Sequence, residues 1–221
     1  MKIKDLREIC KIVGTNGLID EFTISIDGHI FCADAALTFI ADLKYNIELP
    51  KEIGITNVKG IDEILSKFTD DTDIEILEDK LHISNGDKFA NIPLKVVNPT
   101  KVVLPQEGYE IITENIDHNI FNKLGKMRPQ SLINEVYYFY MIDDKLMFRV
   151  GEDSEYNIGD IVGITTKIVP NAAIKFTMNI SECFKNIVTT ASINILIDKL
   201  MMLECNTEKY NIKYYLAPRV E

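Results

Sequence analysis

Apolar residues recur along the chain with two spacings, and each spacing predicts one type of secondary structure. Near the N-terminus, apolar positions three and four residues apart predict a helix over about 3–13. Its apolar face consists of Leu6, Ile9, Cys10 and Val13. The same spacing predicts three more helices, at about 61–68, 117–127 and 181–188. Alternating and continuous apolar runs predict strands at about 22–26, 30–33, 37–49, 74–77, 81–84 and 89–96, and then at about 136–142, 146–150, 159–169, 174–178, 192–197, 200–205 and 210–216.

An internal repeat divides these elements into two halves. Residues 74–81 align with residues 193–200 at an offset of 119, and six of the eight positions are identical. Two shorter pairs align in the same order, 61–65 with 180–184 at an offset of 119 and the hairpin 26–30 with 142–146 at an offset of 116. Three matches in one order predict two structurally equivalent halves.

The segment between the halves is suited to a connector. It contains two prolines and a glycine, which bracket the apolar trio Val102, Val103 and Leu104. Proline has no N–H to donate, so this segment is a poor interior strand and a good extended link. We therefore predict a first domain at 1–98, a connector at 99–109 and a second domain at 110–221.

Composition narrows the class of protein. The chain has 221 residues, 46% of them hydrophobic and 26% charged, which excludes disorder of the whole chain. The net charge of −10 argues against a surface that binds nucleic acid through positive charge everywhere. Apolar stretches fall far short of the ~20 residues that a membrane span needs. The start has no apolar leader, and four widely spaced cysteines are typical of reduced, buried thiols, so we expect a cytoplasmic protein.

Positive charge is concentrated in the predicted helices. With their flanking residues they hold ten basic and six acidic residues, a net charge of +4, which leaves −14 for the rest of the chain. At 100° per residue, Lys4, Arg7 and Lys11 fall within an arc of ~60°, opposite the apolar face of the first helix. Two interpretations stay open: ordinary solvated helix faces, or a surface that faces the phosphates of a nucleic acid.

A polar arc in the third predicted helix has the same character. It consists of Asn119, Asn122, Lys123 and Lys126. The opposite, apolar arc is predicted from Ile116, Ile120, Leu124 and Met127. The polar arc would therefore point away from the core.

The sequence offers no candidate catalytic residues and no metal or cofactor site. The three histidines, His29, His82 and His118, are scattered and lack the spaced partners of a zinc site. The acidic run 70–73 lacks the glycine and the distant glutamate of a calcium loop, so a helix-to-strand turn is the favoured interpretation. Nucleophile elbows and nucleotide-binding fingerprints are also missing from the sequence. We therefore expect a protein that is not an enzyme.

The C-terminus resembles a known family. Residues 212–221 read Ile-Lys-Tyr-Tyr-Leu-Ala-Pro-Arg-Val-Glu, close to the Leu-Lys-Tyr-Tyr-Leu-Ala-Pro-Lys-Ile-Glu that ends proliferating-cell nuclear antigen. The front half is similar to the clamps of tailed bacteriophages, which also begin almost directly with a helix. They carry a segment like 60–66 followed by paired acids such as Asp70 and Asp71. The chain thus resembles the sliding DNA clamps.

This resemblance implies both a fold and a function. The fold would be the DNA clamp fold, an α+β architecture of two similar domains, each with two helices packed on antiparallel sheet. Three subunits would form a closed ring around double-stranded DNA, bound without regard to sequence, with the helices lining the hole. The ring would slide on the duplex and tether the replicative DNA polymerase as its processivity factor. A clamp loader and other replication proteins with peptide motifs are further implied partners, in the cytoplasm of the host cell if the protein is viral.

The resemblance also implies two sets of site residues. The DNA-facing set is Lys4, Arg7, Lys11, Lys67, Lys123, Lys126, Arg128 and Lys185. The pocket for partner peptides, beside the connector, is Leu37, Ile40, Val102, Val103, Leu104, Ala217, Pro218 and Val220. Leu37 and Ile40 are equally compatible with ordinary strand core. The connector trio and the tail favour the pocket, because exposed apolar residues in a linker need a surface to lie on.

A second class of protein stays open at this point. A monomeric processivity factor that forms no ring, or an acidic scaffold for protein interactions, would share the duplicated fold and the pocket. Ring closure needs complementary edge strands, which the sequence alone does not identify. A scaffold would have no need for charge-segregated helices, so the ring is the favoured hypothesis.

Overall fold

The computed structural model describes residues 1–97, 102–104, 111–126, 137–142, 145–150, 158–164, 174–176, 183–195 and 200–218. The chain divides into two compact units. Unit 1 comprises Met1–Ala36 and Ala41–Lys101, and unit 2 comprises Leu37–Ile40 and Val102–Glu221. The main division, after residue 101, falls inside the segment that the sequence predicts as a connector.

Unit 1 is built from two helices and short antiparallel strands. Its described elements are α1 (Ile3–Gly14), β1 (Glu21–Ile24), β2 (His29–Ala33), β3 (Phe39–Tyr45, which begins in unit 2), β4 (Ile53–Thr56), α2 (Val58–Leu65), β5 (Ile74–Ile76), β6 (Lys80–Asn85) and β7 (Lys88–Pro93). Strand β1 pairs with β4, and β5, β6 and β7 form an antiparallel meander with β7 at its edge.

The core of unit 1 lies between its helices and strands. The predicted apolar face of α1 is confirmed, because Leu6, Ile9, Cys10 and Val13 are all buried. Helices α1 and α2 pack closely, and a Cβ added at Gly14, the last residue of α1, would lie 2.8 Å from a Val58 methyl carbon. This spacing leaves room for hydrogen only, so the glycine permits the contact.

Unit 2 repeats the combination of helix and antiparallel strands. Its described elements are β8 (Ile111–Ile116), α3 (His118–Lys126), β9 (Tyr137–Ile142), β10 (Lys145–Val150), β11 (Ile158–Ile164), β12 (Ile174–Phe176), a helical turn at 183–185, β13 (Ala191–Ile195), β14 (Met201–Asn206) and β15 (Tyr210–Leu216). One sheet has the order β11-β10-β9-β12, and in another β15, β14, β13 and β8 are successive neighbours. The pairings described in both are antiparallel.

The core of unit 2 combines a sheet face with aromatic side chains. Strands β13 and β14 alternate buried and half-exposed residues, as a sheet with one covered face requires. Helix α3 places Phe121 in the core, where its ring lies 5.3 Å from that of Phe184, measured between centroids. Elsewhere in the unit, Phe39 stacks on Tyr214 at 5.6 Å.

The repeat found in the sequence corresponds to equivalent pieces of structure. The segments 74–81 and 193–200 occupy the same place in two hairpins, β5–β6 and β13–β14. The segments 26–30 and 142–146 differ, because β9 pairs with β10 as a hairpin whereas β1 pairs with β4 and not with β2. The repeat is therefore confirmed for the hairpins β5–β6 and β13–β14, while the third aligned pair, 61–65 with 180–184, lies partly outside the described residues.

Two predictions about unit 1 are wrong in detail. The second helix spans Val58–Leu65 rather than about 61–68, because Asn57 in a left-handed conformation caps it by accepting a hydrogen bond from the Gly60 N–H at 3.2 Å. Lys67 consequently lies in the turn after the helix. Strand β4 is missing from the sequence prediction, since Ile53-Gly54-Ile55-Thr56 is short and is interrupted by glycine.

Two predictions near unit 2 also need correction. The strand predicted at 37–49 begins only at Phe39, because Leu37 has a φ of +55° and lies in a bend. Helix α3 buries Phe121, which the predicted apolar arc does not include. Ile116 belongs to β8 and Ile120 is half-buried, while the side chain of Leu124 and all of Met127 lie outside the described residues.

Candidate DNA-facing and peptide-binding surfaces

Three basic residues lie along one side of α1, away from the core of unit 1. Lys4 and Lys11 are exposed, and Arg7 between them is half-exposed. The buried residues of the helix occupy the opposite side, so the predicted segregation of charge around this helix is confirmed. This row is the candidate DNA-facing surface of unit 1.

The acidic run 70–73 lies beside the start of α1. The Ile3 N–H donates to the Thr72 carbonyl and the Lys4 N–H to the Asp70 carbonyl, both at 3.0 Å. The Ile74 N–H donates to the Met1 carbonyl at 2.8 Å. The run is thus a helix-to-strand turn, as predicted, and its carbonyls bind N–H groups that the first turn of a helix leaves without partners.

The carboxylates of this turn reach the basic row of α1. The Lys4 Nζ lies 3.0 Å from the Asp71 Oδ1. Arg7 bridges two acids, with its Nε 3.1 Å from Asp62 on α2 and its Nη1 3.3 Å from Asp70. Hydrogen bonding to Asp71 raises the pKa of Lys4, and the same contact lowers the pKa of Asp71. The hydrogen bond that Arg7 donates to Asp62 likewise raises the pKa of Arg7, so Lys4, Arg7 and Asp71 are charged at neutral pH.

Sequence reasoning missed these ion pairs. Asp62 lies 55 residues from Arg7, and Asp71 lies 67 residues from Lys4. The resemblance had picked out Asp70 and Asp71 as a motif, but spacing along the chain does not indicate which helix they face. The signal in the sequence that could have indicated these pairs was the position of the turn, which directly follows the helix that packs on α1.

The remaining predicted DNA-facing residues are distributed over both units. Lys67 is exposed in the turn after α2. In unit 2, Lys123 and Lys126 are exposed on the side of α3 opposite Phe121, and Lys185 is exposed in the turn that carries the buried Phe184. Arg128 lies outside the described residues.

The predicted pocket residues are grouped mainly in unit 2. The Ala217 N–H donates to the Thr38 carbonyl at 2.9 Å, which brings the C-terminal segment beside residues 37–40. Leu37 is 56% exposed there, whereas Ile40 is only 4% exposed and packs in the core. In this part of the chain an apolar side chain is therefore available to a partner beside the C-terminal segment.

The connector trio and the tail residues are also accessible. Val103 is 97% exposed, and Val102 and Leu104 are half-exposed. In the tail, Ala217 and Pro218 are half-exposed as well, while Val220 lies outside the described residues. Val103 thus exposes almost its whole apolar side chain to water, and a bound partner could bury it.

Groups that could carry chemistry are dispersed in the described residues. No three histidine, cysteine, aspartate or glutamate side chains come together there in a way that could hold a metal ion. All four cysteines are buried. Burial raises the pKa of Cys10 to about 12 and also raises that of Cys32, so these two thiols stay protonated. Among the described helices, none has the length and apolar character needed to cross a membrane.

Comparison with solved structures identifies the fold. The proliferating cellular nuclear antigen of Entamoeba histolytica matches with a TM-score of 0.74 and 16% identity, over 99% of this chain and 96% of that one. The PCNA2–PCNA3 complex of Sulfolobus tokodaii matches with a TM-score of 0.73 and 16% identity, over 98% of both chains. A third match is the A. fulgidus PCNA structure bound to the C-terminal region of FEN-1, with a TM-score of 0.72, 14% identity and coverage of 100% and 97%.

The chain therefore has the fold of the sliding DNA clamps over nearly its whole length. The fold class predicted from the C-terminal residues, a DNA clamp fold with mixed helix and antiparallel sheet, is confirmed. No family model and no curated protein matches the sequence. The likeness is thus one of three-dimensional structure at low identity.

Proposed function

We propose that this protein is a sliding clamp, a ring of three copies that encircles duplex DNA and tethers the replicative DNA polymerase. The observation that carries the proposal is the clamp fold across the whole chain, combined with basic residues on the exposed sides of α1 and α3. Its role would be topological rather than catalytic, since processivity comes from a ring that does not fall off the duplex. Its proposed location is the cytoplasm, that of the host cell if the protein is viral.

The charge distribution supports sequence-independent contact with DNA. The exposed lysines and Arg7 would face phosphates, whose neutralisation releases counterions and produces salt-sensitive attraction. Phosphate contacts position a protein on DNA without reading its sequence. A net charge of −10 keeps the rest of the surface repelled from DNA, so contact would be confined to the helices.

An exposed edge strand supports closure of the ring. Among the described residues, strand β7 is one edge of the three-stranded sheet of unit 1, and it carries Phe89, which is 70% exposed. An unpaired edge with an apolar side chain is a template for pairing with another strand. We propose that β7 pairs with an edge of a unit 2 sheet in the next copy, with Phe89 buried at that contact.

Partner peptides would dock beside the C-terminal segment of unit 2. Leu37 and Val103 supply exposed apolar groups, and Ala217 and Pro218 supply neighbouring backbone and ring surface. Apolar anchors of a peptide motif could fill such a surface and bind through a few well-buried contacts. The polymerase, the loader and other replication proteins are the proposed users of this site.

Clamp-dependent primer extension tests the DNA-facing assignment. Charge reversal at Lys4, Arg7 and Lys11 together should shorten the products on a primed circular template while the thermal melting curve stays close to that of the wild type. A matched variant that reverses Lys51, Lys80 and Lys209 makes the same change of charge away from both the proposed lining and the proposed contact at β7. Equal product lengths for the two variants would contradict the assignment.

Peptide binding tests the second surface. Val103→Ser with Leu104→Ser should reduce the affinity for a polymerase-derived peptide at least about tenfold, the effect expected when apolar anchors lose their contacts. Val96→Ser is the control, because Val96 is also almost fully exposed but belongs to unit 1. Unchanged affinity in the connector variant would move the binding site elsewhere.

A further inference from the structure

The basic side of α1 is already occupied by carboxylates in unit 1. Lys4 contacts Asp71, and Arg7 contacts both Asp62 and Asp70, as described above. Lys2 adds a third cation to the same place, with its Nζ 3.0 Å from the Asp71 carbonyl and 3.9 Å from the Asp73 carboxylate. Basic groups that would meet DNA therefore hold anionic partners from their own chain.

These carboxylates are held in place by the backbone rather than by the ion pairs. The three main-chain hydrogen bonds between residues 1–4 and 70–74 fix the turn against the N-terminus of α1. The Thr69 and Thr72 hydroxyl oxygens lie 2.7 Å apart, and the Asn85 amide of β6 donates to both. The turn therefore stays beside α1 even when its side-chain contacts are broken.

The ion pairs themselves are exposed and should exchange readily. The side chain of Asp71 is mostly exposed to solvent, and that of Lys4 is about half exposed. Pairs of this kind contribute little to stability because water and salt screen them. A phosphate offers the same kind of oxygen acceptor to Lys and Arg donors as a carboxylate does, so the two compete for the same N–H groups.

We propose that the acidic turn 70–73 is an internal competitor for DNA phosphate, which occupies Lys4 and Arg7 in the absence of DNA and weakens the contact of α1 with the duplex. The inference rests on the proposed function, because it assigns the regulation of that same DNA-facing surface. A phosphate that contacts Lys4 or Arg7 has to compete with a carboxylate for that side chain. The ring would then hold DNA loosely and slide, since a fixed anion always competes for the lysine and arginine.

Binding to a linear duplex of about 30 base pairs tests this proposal with the full-length protein. The test variant is Asp70→Asn with Asp71→Asn, and the matched control is Glu78→Gln with Asp79→Asn, which removes the same charge from the exposed turn between β5 and β6. Fluorescence anisotropy from about 50 to 200 mM salt gives the affinity and its salt dependence. The difference between the two variants separates local competition from the general change in net charge.

The test variant should bind about threefold to tenfold tighter than the control at the lowest salt. The slope of log affinity against log salt should steepen by about 0.9 for each phosphate that a released cation contacts. Asp71→Asn alone, which leaves Asp70 in place, should give a smaller gain of about twofold and serves if the double variant does not fold.

A third variant, Lys4→Ala with Arg7→Ala, distinguishes the two ways in which the proposal can fail. If it weakens binding while the Asp variants match their control, the internal competition is wrong and the DNA-facing assignment stands. If it leaves binding unchanged, the DNA-facing assignment is wrong and the competition falls with it.

Discussion

Phe121 is the residue through which α3, with its exposed lysines, is attached to the core of unit 2. Its side chain is fully buried and its ring packs on that of Phe184 at 5.3 Å. Truncation to alanine removes a large apolar side chain and leaves a cavity, which costs about 3–5 kcal/mol for a buried phenylalanine. The lost aromatic contact is included in that range, since such pairs contribute about 0.5–1.5 kcal/mol.

The expected shift in melting temperature follows from this cost. For a chain of this size, about 2–4 °C are lost per kcal/mol, so Phe121→Ala should melt roughly 6–20 °C below the wild type. Phe89→Ala is the matched control, because it removes the same side chain from an exposed site and should change stability by less than about 0.5 kcal/mol.

Differential scanning calorimetry at several protein concentrations measures both variants. Self-association stabilises the folded state in proportion to concentration, so any effect of Phe89→Ala on a ring contact would appear as a changed concentration dependence. Similar melting temperatures for the two variants at low concentration would refute the placement of Phe121 in the core and, with it, the orientation of α3.

Two further predictions concern unit 1. Tyr45 donates a hydrogen bond to Glu8 at 2.7 Å. Burial, and secondly this hydrogen bond, raise the pKa of Tyr45 above 10. The contribution of the neutral phenol to the free energy of unfolding is therefore complete below pH 10 and should be lost as the pH rises beyond it. In urea unfolding, Tyr45→Phe should lower the free energy of unfolding by about 1 kcal/mol at neutral pH. Above pH 10 this free energy should fall less steeply with pH than in the wild type, and an equally steep fall would contradict this account. Gly28 has a φ of +77° and a Cβ there would lie 2.3 Å from the Tyr45 carbonyl, so Gly28→Ala should cost at least about 2 kcal/mol in the same assay. Gly86→Ala, at a φ of +61° with open space around it, should cost only about 1 kcal/mol, and equal costs would rule out the clash.

The elements that sequence patterns predicted best are those with strong periodicity. The buried face of α1 and the repeated hairpins follow from local spacing, which the chain itself displays. The misplaced features depend on conformations that spacing does not encode. The left-handed Asn57 cap set the start of α2, and the left-handed Leu37 shortened the strand that became β3.

The candidate site divides in the same way. Exposure of Lys4 and Lys11 follows from helical geometry, and exposure of Val103 follows from its place between prolines. The pairing of Arg7 with Asp62 and Asp70 does not, because it depends on how α2 and the turn after it pack against α1. Counting charges by helix therefore overstated how much positive potential α1 offers to a ligand.

Solution mass tests the ring most directly. Light scattering of the full chain across a wide range of concentrations should reveal a species of about 76 kDa, three times the 25.2 kDa of one chain. Phe89→Asp, which places a charge on the proposed edge contact, should shift that species toward 25.2 kDa. A wild-type protein that stays at 25.2 kDa up to the highest concentration would contradict the closed ring and favour a monomeric factor.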